Sequence, residues 1–179
     1  MRRGGLRGLA ALPRRTRTTD SRHGYPIAPN RLQRNFTAQA PDHIWLADLT
    51  YIPTGEGWLY LAAILDMHTR RIVGWCMRET PHAEIALEAP SMAVQRQRPA
   101  HGLIHHSDRD IQHAAEAYRS ALSASGITPS TSRPFDRLRR RLLDNAPMES
   151  FFHTLKTERV HHRIYATRAE ANRDLFGHI

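Results

Sequence analysis

Three acidic side chains stand in surroundings that make them chemically conspicuous: Asp48, Asp108 and Glu149. Asp48 lies inside Ile44-Trp45-Leu46-Ala47-Asp48-Leu49-Thr50-Tyr51-Ile52, an apolar, strand-forming stretch where a lone carboxylate is costly unless something compensates it. Asp108 follows the short run Gly102-Leu103-Ile104-His105-His106-Ser107, at a strand end of the type where α/β sheets gather ligands. Glu149 sits in the first turn of a helix announced by Asp144-Asn145 as caps and Pro147, with an apolar face that includes Phe152 and Leu155. Each acid alone has an ordinary explanation: a strand aspartate facing solvent, a helix-capping or turn aspartate, and a first-turn acid favoured by the helix dipole. Together, two from strands and one from a helix, they can converge on one edge of a sheet. Carboxylates so placed suit hard divalent cations that keep positions open for water and phosphate. Two such ions can activate a nucleophile and stabilise the leaving oxygen of an in-line displacement at phosphorus. Lys156 comes seven residues after Glu149, two helical turns on, and so points the same way, towards where a DNA phosphate would enter. Its bland reading is an ordinary solvent-facing lysine.

The elements that must position these groups can be read along the chain. Residues 44–52 form an apolar strand ending at Pro53; Gly55-Glu56-Gly57 signals a turn; residues 58–65 and 71–77 supply two more strands, which together predict an antiparallel meander. A helix follows over 83–97, interrupted by Pro90 at a cost of about 3 kcal/mol if that residue is interior. A short strand over 102–106, a helix over about 112–125, a last strand at Gly126-Ile127-Thr128 and helices over 147–160 and 168–178 complete the pattern. The order βββ-α-β-α-β-α predicts an α/β fold with a mixed sheet flanked by helices, for which an RNase H-like arrangement is one compatible solution.

Composition narrows the partners. The chain has 179 residues, 40% hydrophobic, and 26 Lys+Arg against 17 Asp+Glu give it a formal net charge of +9. That balance favours a polyanion, of which nucleic acid is the commonest, although many other basic proteins share it. Residues 1–40 are arginine-rich with scattered Pro and Gly and no apolar period, so they predict a poorly ordered arm that is either solvated or laid along phosphates; residues 41–179 predict the core. Cys76 is the only cysteine, which excludes an internal disulfide and leaves a zinc site no thiolate pair. The longest apolar run, 59–65, is too short to span a bilayer, and the arginine-rich N-terminus lacks the features of a secretory leader. The expectation is a soluble cytoplasmic protein with no membrane partner. No phosphate-binding GxxxxGK[ST] motif supports ATP use. Of the histidine pairs, His106 can line the acidic edge, whereas His105, His161 and His162 read as structural or exposed; Trp45, Trp58 and Trp75 read as core packing before base stacking.

The segments PDHIWLADLTYIPTGEGWLYLAAILDMHTRRIVGWCM, GLIHHSDRD and DNAPMESFFHTLKTE resemble the integrase catalytic core of bacterial insertion-sequence transposases, the group whose transposase joins two reading frames. The likeness runs from about Thr18 to Ile179. It implies that Asp48, Asp108 and Glu149 are the family's three acids, with Lys156 at the basic position that often follows, and it places Arg109, His106 and Asn145 near bound DNA. It further implies an RNase H-like five-stranded sheet (three antiparallel strands, then two parallel), dependence on Mg²⁺ or Mn²⁺ with two ions, nicking at element ends, and attack of the freed 3′-hydroxyl on another phosphodiester. DNA at the element ends and target, further copies of the chain, a helix-turn-helix subunit from the upstream frame and a bacterial, nucleoid-associated location complete the expectation.

The chain departs from that pattern in four places. Forty residues separate Asp108 from Glu149, more than the family's usual spacing, and the excess falls in the arginine-rich stretch 133–143. That stretch reads either as a pair of compensating frameshifts or as a basic loop that contacts DNA. Asp110 stands where a small residue is usual, Pro90 interrupts a helix, and the expected helix-turn-helix module and C-terminal basic tail are missing from the chain. Three functions stay open on the residues: a metal-dependent transposase core that nicks and joins DNA, an RNase H-like nuclease that cuts without joining, and an impaired remnant that binds DNA or oligomerises without catalysis.

Overall fold

The computed structural model describes residues 28–33, 35–81, 83–107, 115–132 and 145–179. Strands β1 (Ile44–Thr54), β2 (Gly57–Asp66) and β3 (Ile72–Arg78) form the expected antiparallel meander, followed by helix α1 (Ala83–Gln97), β4 (Ile104–Ser107), α2 (Ala115–Ala124), β5 (Thr128–Thr131), α3 (Ala146–Glu158) and α4 (Arg168–Phe176). They build one five-stranded sheet in the order β3-β2-β1-β4-β5. β1 and β4 are parallel, as are β4 and β5. The sheet is therefore the mixed RNase H-like one, three antiparallel strands followed by two parallel.

Strand alternation divides the apolar residues of β1 and β2 between two cores. Leu46, Ile52, Leu59, Leu61, Ala63 and Leu65 face Met148, Phe152 and Leu155 of α3 and Ala171 and Leu175 of α4. Trp45, Ala47, Ala62 and Ile64 face Ile85, Ala86, Ala89 and Ala93 of α1 and Leu122 of α2. Both faces of the central strands are covered, which is why β1 and β2 read as nearly continuous apolar runs.

Several sequence expectations change. β1 does not stop at Pro53 but continues to Thr54, with Pro53 paired to Trp58 of β2. Among the described residues no strand lies on the other edge of β1 at that point, so the missing N–H of Pro53 breaks no second ladder there. The last strand is Thr128–Thr131, not 126–128; it carries Pro129 at the edge of the sheet and buries Ser130 and Thr131. Pro90 does not interrupt α1, which runs unbroken from Ala83 to Gln97 with Pro90 inside it. The chain is also packed before residue 41: Leu32 belongs to the core, Phe36 and Ala38 lie against it, and the Arg31 backbone N–H donates to Ser130 Oγ at 3.0 Å. Residues 1–27 of the expected arm lie outside the described residues.

Helix α1 can sit so close to β3 because position 74 has no side chain. A Cβ there would meet the carbonyl oxygen of Ala89 and come within 2.8 Å of Ala93 Cβ and N. Gly74→Ala is expected to destabilise the fold by roughly 1–3 kcal/mol through overpacking, read as a lower urea midpoint at unchanged m-value.

Candidate catalytic edge

The site begins at the last described pair of β1 and β4. Among the described residues their parallel register runs Ile44↔Ile104, Trp45↔His105, Leu46↔His106 and Ala47↔Ser107. The next residue of β1 is Asp48; the next residue after β4 is Asp108, which with Arg109 lies outside the described residues. Asp48 is half-buried, pairs across the strand with Ala63, and accepts a hydrogen bond from the Leu49 N–H at 2.7 Å.

Helix α3 is tied to this point by Asn145. Its Nδ2 donates to the Ala47 carbonyl at 3.2 Å across 98 residues of sequence, in a buried position. The Asn145 carbonyl accepts the N–H groups of Met148 and Glu149, so the first turn of α3 hangs from the same residue. Pro147 suits that first turn, Met148, Phe152 and Leu155 bury the apolar stripe, and Glu149 is left exposed on the polar side. Lys156 is half-buried further along α3, with Nζ 4.9 Å from the centre of the Tyr51 ring. Burial lowers its pKa from the ordinary lysine value while the charge of Asp48 pulls the other way, so Lys156 and Asp48 are within electrostatic reach.

Two buried polar atoms at this place have no partner: Ser107 Oγ, on the residue paired with Ala47, and Asn145 Oδ1, beside the Ala47 carbonyl. Buried oxygens of this kind are normally satisfied, so their position marks where a water or ligand would be accommodated. With the Asp48 carboxylate, the side-chain oxygens at this point are of the kind that hard divalent cations take, and Glu149 lies in the first turn of the helix tied here by Asn145. Among the described residues no three His, Cys, Asp or Glu side chains form a metal cluster, and Asp108 of the sequence pattern is not among them.

The histidines resolve differently. His106 is fully buried, with Nδ1 2.9 Å from Ser130 Oγ, and so ties β4 to β5 with no surface for DNA to touch. His105, on the opposite face of β4, is also buried; desolvation, with a smaller effect from His106, lowers its pKa to about 4 and keeps it neutral. His161 and His162 are exposed. Asn145, expected near DNA, has its amide turned inward to the Ala47 carbonyl. Sequence reasoning missed that role because its partner is a backbone atom far away in the chain. It also missed Tyr51, whose ring carries the Lys156 ammonium.

A five-stranded sheet of this order, three antiparallel strands followed by two parallel, defines a fold of the RNase H-like class, and comparison with known proteins agrees. The chain belongs to the integrase core domain family, which matches residues 38–136. It is 47% identical over 154 residues, 86% of its length, to the "Insertion element IS600 uncharacterized 31 kDa protein" of Shigella sonnei, of which it covers 55%. It is 35% identical over 180 aligned positions, its whole length, to "Transposase InsF for insertion sequence IS3A" of Escherichia coli (strain K12), of which it covers 60%. The chain thus spans less than two thirds of the length of these relatives. Its fold is shared with an integrase in the simian T-cell lymphotropic virus intasome (TM-score 0.57, 17% identity, 77% of this chain and 45% of that one). It is shared also with the HTLV-2 integrase catalytic core domain solved with magnesium (TM-score 0.54, 14% identity, 68% of this chain and 71% of that one).

Two measurements test this geometry. Asn145→Ala should remove the hydrogen bond that ties α3 to the Ala47 carbonyl and cost about 1–3 kcal/mol in urea unfolding, whereas a change at the exposed neighbour Ser150 should cost nothing measurable. For His105 the unfolded side chain takes up a proton near 6.5 that the folded one refuses until about 4. Stability is therefore lost as pH falls through that window, because the unfolded state binds more protons there. Between pH 7 and pH 5 the protein should lose on the order of 2 kcal/mol more than His105→Gln does.

Proposed function

We propose that this chain is the catalytic core of a DNA transposase, nicking DNA and joining the freed 3′-hydroxyl to another phosphodiester with the help of divalent metal. The observation that carries the reading is the last described pair of the β1–β4 register, Ala47↔Ser107, with Asp48 next on one strand and Glu149 hung from Asn145 beside it. Identity to a curated transposase along the whole of the chain supports the same reading. Asp48, Asp108 and Glu149 are the residues that would hold Mg²⁺ or Mn²⁺, with two ions expected. Such ions supply Lewis-acid activation of the attacking hydroxyl and charge neutralisation at the leaving oxygen.

The chain's own residues do the positioning. Asn145 fixes the helix that carries Glu149 against the strand that carries Asp48. Lys156 offers a cation next to Asp48, where it offsets the charge of an incoming phosphate and orients the strand to be cut. Arg109 is a proposed second phosphate contact. DNA at the ends and at the target, further copies of this chain and a helix-turn-helix subunit are the partners this reading requires, because two ends must be held together and recognised. Among the described residues no helix is long and apolar enough to cross a membrane. The competing reading, a DNA-binding remnant without catalysis, differs in its products.

The deciding experiment incubates the chain with a pre-nicked duplex bearing an element end and a plasmid target, with Mg²⁺ and separately with Mn²⁺. Joined products that disappear in Asp48→Asn and Glu149→Gln, while both variants retain DNA binding, are the expected result. Loss of these ligands should lower the rate by at least a thousandfold, on the order of 4 kcal/mol of transition-state stabilisation. Nicks without joined products would support a simple nuclease, and salt-sensitive binding without cleavage in either metal would leave only the remnant.

A further inference from the structure

The large aromatic side chains of β1 and β2 divide into two groups. Trp45 is fully buried, but Tyr51 is 49% exposed and Trp58 48% exposed. The two exposed rings touch each other edge to face, with centres 4.9 Å apart and planes at 78°. Tyr51 pairs with Tyr60 and Pro53 pairs with Trp58, so Tyr51 and Trp58 are diagonal neighbours on the same face of the hairpin. Alternation turns Tyr51 to the face opposite Asp48, yet Lys156 bridges them: its ammonium stands over the Tyr51 ring and still feels the Asp48 charge. Among the described residues, no strand pairs with β1 on this edge between Asp48 and Pro53.

The platform is also held rigidly. The backbone carbonyl of Trp58 accepts from Arg168 Nε at 3.2 Å, and Glu56 accepts the Arg168 N–H at 2.8 Å. The Gly55 N–H donates to the Tyr165 carbonyl at 2.9 Å, and a Cβ at Gly55 would meet the Ala166 backbone. The tip of the β1–β2 hairpin is thus clamped to the start of α4, so the rings are presented by a fixed backbone. Exposed aromatic rings beside a cation, in a protein of net charge +9, match the combination that captures single-stranded nucleic acid, with ring faces for the bases and a positive charge for the phosphates. Tyr51 lies three residues along β1 from Asp48, about 10 Å at the rise of a strand, or roughly three nucleotide steps of DNA.

We propose that Tyr51 and Trp58 form a stacking platform for an unpaired base close to the cleaved DNA end, with Lys156 on the adjoining phosphate. The inference rests on the DNA-processing reading above and adds that the end is bound frayed, with bases close to the cut lifted from the duplex. The platform gives the core a preference for opened ends that no base-edge hydrogen bond is needed to explain.

The test uses the chain with no divalent metal, so that binding is read apart from cleavage. Short duplexes carry 2-aminopurine at each of the last four positions, with the end either paired or frayed by mismatches. The expected result is tighter binding to the frayed end and a fluorescence change confined to those positions. Trp58→Ala should weaken frayed-end binding about fivefold or more and leave binding to a long duplex unchanged, with Trp58→Phe restoring most of it. Tyr51→Leu should weaken it in the same selective way. Equal affinity for paired and frayed ends, or an equal loss on both in Trp58→Ala with Trp58→Phe no better, would overturn the proposal. So would a change in oligomeric state without a change in end preference, since the patch would then be a protein interface. Metal-dependent nicking, assayed in parallel, separates the two readings: end preference without nicking defeats only the catalytic reading, and nicking without end preference defeats only this one.

Discussion

The hydrogen bond from Asn145 to the Ala47 carbonyl is the constraint on which the rest of the site depends. Strand β1 and helix α3 are separated by most of the chain, and their apolar contact through Leu46, Phe152 and Leu155 fixes the distance between them better than the axial register of the helix. Apolar packing is non-directional, so a helix can slide on a sheet at small cost. A buried amide that must find a carbonyl cannot slide, because leaving either group unpaired costs on the order of 1–3 kcal/mol. Since the Asn145 carbonyl also receives the Glu149 N–H, the position of that carboxylate along β1 is set by one polar contact inside an apolar interface.

That contact works only because the sheet around it is rigid. The two central strands are covered on both faces, and α1 approaches β3 closely at Gly74. Around the other end of the site, β4 is fastened to β5 by the His106–Ser130 contact, and the segment before β1 is fastened there too, through the Arg31 N–H on the same Ser130. Ser130 is thus a buried junction between three segments. The neutral imidazole of His105 on the opposite face lets β4 remain wholly interior. Cys76 is equally inert: burial and the neighbouring Glu88 push its thiol up to about 12, and it donates to Glu88.

How much of this could be read from the sequence follows from which interactions are local. The meander of β1 to β3 was legible because both its turns and its apolar runs are short-range signals, and α3 because Pro147, Glu149 and its apolar stripe mark a helix start. Asp48 lies in the strand and Glu149 in the helix that the sequence pattern marks. What was not legible is non-local. Asn145 looks like a cap or a DNA contact until the partner from β1 is in place. β5 was misplaced by two residues because Thr128-Pro129-Ser130-Thr131 is polar, and its burial is possible only after β4 and residues 28–33 supply partners. Pro90 was read as a break, whereas tertiary packing of Ala89 and Ala93 on Gly74 keeps the helix whole. The stretch 133–143, where the sequence left a frameshift scar and a basic loop both open, lies outside the described residues, as does Asp108.

The open edge of β1 joins stability to function. Among the described residues, no strand lies beside this edge of β1 beyond Ala47 until Thr54 meets Tyr165. An open edge is a hazard, since its free backbone groups can pair with another chain. Here the stretch carries several of the devices that discourage such pairing: a charged residue at Asp48, a proline at 53, and the Lys156 side chain laid across Tyr51. Among the described residues, the stretch that leaves this edge of β1 open also leaves Asp48 only half-buried. The two side chains proposed to meet metal and phosphate, Asp48 and Lys156, are also among those that discourage pairing with another chain.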